Sequence, residues 1–165
     1  MIFYPVEQLR EEFEVSASFY QIKVNNKSYQ CRNHALIKRK GIDNHQPDAV
    51  IIMANPGSCS PKNTDIELPI MKQHPLNSHY VDVKIDPTQY QLMRLMKMMK
   101  WNMISIINLS DLCSGNMSDF KKKNLEVEQN KYYSHSIFSK DRIEELEKML
   151  ACFRKYCGFK TIKHG

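Results

Sequence analysis

The chain has 165 residues, with 42% apolar and 25% charged side chains, a net charge of +6 and a sequence pI near 9.0. That is enough chain for one domain, taken as residues 1–165, and the composition excludes a disordered polypeptide. The positive balance suits a polyanionic partner, and equally a solvated basic surface that aids solubility.

The longest apolar runs, such as Ala49 to Ala54 and Met103 to Ile107, are too short to span a bilayer. Met1 to Arg10 lacks the basic and apolar regions of a secretory signal. No membrane partner is expected. Cys31, Cys59, Cys113, Cys152 and Cys157 are odd in number, widely spaced and without a CxxC pair, which disfavours a disulfide framework or zinc site. Free thiols in a reducing compartment fit best, so a cytoplasmic location is expected. The six histidines have no metal-ligand spacing, and no metal or cofactor is expected.

Phe13 to Lys40 reads as a β-hairpin, because Phe19 to Val24 and Ser28 to Lys38 are rich in strand formers and Asn25-Asn26 suits a tight turn. Gly41 to Pro47 is a loop. Asp48 to Ala54 (DAVIIMA) is a continuous apolar run, the pattern of a central strand buried on both faces, and it stops at Asn55-Pro56-Gly57. Ser58 to Tyr80 is a long polar loop with three prolines. Asp86-Pro87-Thr88 starts a helix with Leu92, Leu95, Met96 and Met99 on its inner face. Met103 to Ile107 is a second buried-type strand, ending at Asn108-Leu109-Ser110-Asp111. The strand–loop–helix–strand succession predicts a parallel pair. Ser114 to Lys123, with Lys121-Lys122-Lys123, reads as a basic loop that is solvated or touches phosphate. Ser139 caps a last helix with Ile143, Leu146, Leu150 and Phe153 inside.

These elements predict an α/β three-layer sandwich, with a largely parallel central sheet flanked by helices and an N-terminal β-hairpin. Ligands of open α/β sheets bind outside the strands' carboxyl ends, where Asn55 and Asn108 both fall. An asparagine amide can read a complementary amide edge or position a water. Gly57 permits close approach of the backbone, Pro56 stiffens the turn, and Ser58, Ser60 and Ser110 add hydroxyls. The plain alternative is that Asn-Pro-Gly is only a turn whose asparagine satisfies loose backbone groups. A nucleophilic role for Cys59 lacks a histidine placed beside it by sequence.

Residues Met53 to Pro61 (MANPGSCSP) resemble the first motif of the mismatch-specific and single-strand-selective uracil-DNA glycosylases, and Ile104 to Asn108 (ISIIN) resembles that superfamily's base-recognising strand. The stretch from the hairpin through DPTQYQLMRLMKMMKW and ISIINLSDL to HSIFSKDRIEEL, roughly residues 15–150, is similar to the bacterial family called domain of unknown function 1643. The resemblance implies a uracil-DNA glycosylase-like fold. It also implies hydrolysis of the N-glycosidic bond of uracil or a related base in single- or double-stranded DNA, with no cofactor. Asn55 would orient the attacking water as the catalytic residue. Asn108 would bind the base, and Pro56, Gly57, Ser58 and Ser110 would shape the substrate pocket. Tyr80 and Phe120 are the candidate stacking aromatics. The chain departs from the pattern at Met53, where glycine is usual, and in the His-Pro-Ser-like loop, for which it offers only His164, or His74-Pro75 out of order. The alternatives are a non-catalytic nucleic-acid or nucleotide-binding module, and an interaction protein of a mobile-element or phage-defence system.

Overall fold

The computed structural model describes residues 4–43, 46–71 and 79–157, the last six by backbone alone. Val6–Glu12 forms a short helix, α1, that runs directly into strand β1, Phe13–Val24. Glu12 at the junction pairs with both Arg39 and Lys97. β1 turns back through Asn25 and Asn26, at φ 49° and 61°, into β2, Lys27–Arg39. Positive φ at both turn residues is what a two-residue hairpin requires, and asparagine tolerates it.

The remaining elements are β3 (Ala49–Met53), β4 (Ser60–Pro61), β5 (Tyr80–Lys84), α2 (Pro87–Met99), β6 (Met103–Asn108), α3 (Met117–Gln129) and α4 (Ile143–Cys157). The six strands form one mixed sheet in the order β3-β6-β2-β1-β5-β4. The fold is α/β, but β3 and β6 are its one parallel pair, and every other neighbour is antiparallel. The expected largely parallel sheet does not form, because the hairpin occupies the side of β6 where a further parallel strand would lie. β3 is likewise an edge strand, not a central one, and Ile52 is 54% exposed. β6 lies inside the sheet, between β3 and β2, with all six residues buried. An apolar run alone does not distinguish the two positions.

Side chains alternate across the sheet. One face carries Ala17, Ala35, Ile37, Ile104 and Ile106 against Leu9 of α1 and Tyr90, Met93 and Met96 of α2. The other face carries Tyr20, Ile22 and Cys31 against Leu112 and Val127 of α3. Where Ser18 meets His34 and Phe19 meets Arg32, Asn33 is an extra residue in β2, a bulge that shifts the pleat. Arg32 and His34 therefore face opposite sides.

Asp86 begins α2 with a capping box: its Oδ1 accepts from Gln89 N at 2.9 Å and its N–H donates to Gln89 Oε1 at 3.0 Å. The buried stripe is Gln89, Tyr90, Met93 and Met96, so the expected face is rotated, and Met99 is exposed. Gln89 was hidden from an apolar count because it is buried through its hydrogen bonds. Residues 117–123, expected in a loop, belong to α3, whose N-cap Asn116 accepts from Asp119 N at 2.8 Å. Ser139 precedes a 3₁₀ turn at Lys140–Arg142 and makes no side-chain cap to α4, and Ile143 is exposed. Leu146 and Leu150 are half-buried, and the side chain of Phe153 lies outside the described residues. No described helix is long and apolar enough to cross a membrane.

Candidate functional site

Met53 and Asn108 are direct partners at the carboxyl ends of β3 and β6. The two chains stay joined beyond the strands, with Leu109 N donating to Met53 O at 2.8 Å and Ser110 N to Ala54 O at 3.1 Å. Asn55 and Asn108 thus sit at one end of adjacent strands, as the spacing predicts. Their amides are engaged within the protein. Asn55 is half-buried, and its Nδ2 donates to Ser114 O at 2.8 Å. Asn108 is wholly buried; its Oδ1 accepts from Arg32 Nη2 and its Nδ2 donates to Arg32 O, each at 3.3 Å.

Pro56 is buried, Ser58 is exposed, and Gly57 turns at φ 68°. A Cβ on Gly57 would stand 3.4 Å from Asp86 Oδ2, and one on Gly115 would stand 3.5 Å from Ser58 Cβ. Gly57 is required mainly for its positive φ. Below the loop, Cys59 Sγ accepts from Gln89 Nε2 at 3.3 Å. Burial pushes the Cys59 thiol up, against the pull of Arg32, and pushes Cys113 up to about 12. Both are neutral thiols near pH 7, which removes the thiolate that nucleophilic chemistry at Cys59 needs.

Ser110 is not presented to a ligand. It is buried, and its Oγ lies 2.9 Å from His135 Nδ1. His135 Nε2 is 3.9 Å from Glu128 Oε1, and burial lowers the imidazole's pKa, so the ring is neutral near pH 7. The succession of serine, histidine and carboxylate looks like an activated nucleophile, but Ser110 is 5% and His135 2% exposed. Their hydrogen bond joins the end of β6 to the 3₁₀ turn Tyr133–His135.

Next to it lies a network that sequence reasoning missed. Asp111 Oδ2 accepts from Tyr20 Oη at 2.8 Å and from Arg142 Nη1 at 2.7 Å. Arg142 also holds Glu145 through two bonds of 2.8 and 2.9 Å, and it donates to the carbonyls of Ser134 and His135. Burial pushes Asp111 up to about 6 despite Arg142 and Tyr20. Burial works against the Arg142 charge, but Glu145 and Asp111 outweigh it and hold its pKa above the ordinary value. The two contacts of Asp111 join residues 91 and 31 positions apart, beyond the reach of local spacing.

Tyr80 is 45% exposed and its hydroxyl bonds His34 Nδ1, while His34 Nε2 lies 2.6 Å from Ser105 Oγ. Burial lowers the pKa of His34 to about 4. Phe120 packs against the cluster beneath α3. His74-Pro75 and His164 lie outside the described residues. Among the described residues no three histidine, cysteine or acidic side chains group as metal ligands.

A cleft of about 620 Å³ is lined by Arg10, Lys40, Lys62 and Lys84 with Glu14 and Asp82. It adjoins the start of β1 and the end of β2, the opposite end of the sheet from Asn108, since His34 pairs with Ile107 and Lys38 with Met103. Comparison with known proteins gives no relative: no protein-family model matches the chain, and no curated protein or solved structure matches it significantly.

Proposed function

We propose that the protein is a nucleic-acid or nucleotide-binding module whose ligand sits at the carboxyl ends of β3 and β6, and that it binds without cleaving. The observation that carries this reading is the state of the two asparagines. They share one end of a parallel strand pair, which is where α/β sheets take ligands. Yet the Asn55 amide that would orient water donates to Ser114 O, and Asn108 is buried against Arg32. Rate in base excision without a strong base depends on preorganised groups aimed at the reacting atoms. The Asn108 amide, with both Oδ1 and Nδ2 bonded to Arg32, is not so aimed. The net charge of +6 favours a phosphate-bearing ligand.

The second reading is hydrolysis of the N-glycosidic bond of uracil in DNA on a uracil-DNA glycosylase-like core. It is favoured by the juxtaposition of Asn55 and Asn108 and by the resemblance of Met53 to Pro61. One experiment separates the two. A uracil-containing oligonucleotide, single- and double-stranded, is titrated with the protein at several salt concentrations, and abasic sites are then scored on a gel. Salt-dependent binding without abasic sites is the expected result. Abasic sites lost in Asn55→Ala with Asn108→Ala select excision. No binding of oligonucleotide or mononucleotide overturns both readings.

A further inference from the structure

Arg32, like Arg142, is one of the largest almost wholly buried side chains among the described residues, at 2% exposure. An arginine is charged at every physiological pH, and burying its charge is costly unless an anion compensates it. Among the described residues no carboxylate forms an ion pair with it. Its guanidinium donates from Nη2 to the neutral Asn108 Oδ1 at 3.3 Å and bonds the neutral Cys59 thiol, while its Nε has no partner among the described residues. Asp86, which lies beside Gly57, accepts the α2 cap bond through Oδ1 and makes no ion pair with Arg32, and Asp111 is held by Arg142.

Position makes this vacancy of charge informative. Arg32 faces the carboxyl ends of β3 and β6 because the bulge at Asn33 turns it there. Cys59 beside it is buried, and the preceding residue of the loop, Ser58, is exposed. The planar fork of a guanidinium fits two oxygens of one phosphate or carboxylate.

We propose that Arg32 anchors an oxyanion site, in which the loop Asn55–Cys59 shifts and the guanidinium takes a phosphate or carboxylate group of a ligand. This names the group held at the strand ends and so rests on the binding reading above, while a simple inorganic probe keeps the two separable.

The test is calorimetric titration of the full chain with sodium phosphate and, separately, sodium acetate, against sodium chloride at matched ionic strength. Expected is saturable binding near one anion per chain, lost in Arg32→Met. Arg32→Lys, which keeps the charge and loses the fork, weakens binding about tenfold and stands in if the methionine variant fails to fold. Saturation by phosphate but not acetate identifies a phosphate ligand; the reverse identifies a carboxylate. No saturable binding of either, or unchanged affinity in Arg32→Lys, overturns the proposal. Phosphate binding without oligonucleotide binding leaves the anion site standing and sinks the nucleic-acid reading alone.

Discussion

Two arginines among the described residues are almost wholly buried, and they are treated in opposite ways. Arg142, at 0% exposure, meets two carboxylates and two carbonyls. Arg32, at 2%, meets a neutral amide and a thiol. A buried charge whose partners lie within the chain is structural, since removing it strands those partners. A buried charge without them costs stability and points outside the chain for its compensation. The first ties α4 and the 3₁₀ turns to β6; the second sits at the strand ends where a ligand is expected.

The comparison can be broken most forcefully at Arg142. Arg142→Met leaves Asp111 buried without its counter-charge and should cost about 3–5 kcal/mol in urea unfolding. A loss under 1 kcal/mol would put Arg142 in the same class as Arg32.

The next effect is pH dependence. Asp111 titrates near 6 in the folded chain against 3.8 in its ordinary state. Between those values the folded protein binds more protons than the unfolded one, so stability falls as pH rises. The contribution is present below about pH 4 and lost by about pH 6, and a shift of this size corresponds to about 3 kcal/mol. Asp111→Asn should flatten that limb of the stability–pH curve; an unchanged slope would assign it to other groups.

Arg32→Met should have the opposite sign to Arg142→Met. With no anion present it should leave stability unchanged or raise it by about 1–2 kcal/mol, because an uncompensated buried charge is replaced by an apolar chain. A loss above 2 kcal/mol would show that Asn108 and Cys59 compensate the charge after all. Asp86 sharpens the point. Asp86→Ala removes the α2 cap and should cost about 1 kcal/mol, whereas Asp86→Asn keeps a good capping group and should stay within about 0.5 kcal/mol. A large loss in the asparagine variant would make Asp86 the hidden counter-ion of Arg32. The smallest effect belongs to the exposed pair of Lys27 and Glu126, 2.8 Å apart, whose disruption by Lys27→Ala should be erased by added salt.

Sequence made the local features legible. Asn25-Asn26 marks the hairpin, and Asp86-Pro87-Thr88 marks a capped helix, because turn and cap chemistry acts over a few residues. The ends of β3 and β6 were legible for the same reason: an apolar run stops at a residue that cannot continue it. What escaped was set by distant partners. β3 lies at the edge because the hairpin lies on the far side of β6. α3 buries only Val127, so its apolar signal is faint, although Asn116 with Asp119 was a readable start. Arg32 lay inside an expected strand, and nothing in its neighbours marked it as buried.

The bulge at Asn33 adds a consequence about length. In a regular ladder, residues two apart share a face, so Arg32 would follow His34 to the α3 side and Asn33 would stand opposite Phe19. The surplus residue is what lets Arg32 and His34, two apart in sequence, face opposite sides. Deleting Asn33 should therefore straighten β2 while leaving every other side chain on its present face. Deletion of a neighbouring residue in regular register, such as Ala35, would instead invert the rest of the strand. Along this hairpin the count of residues, and not only their kind, decides which charge lies beneath the strand ends.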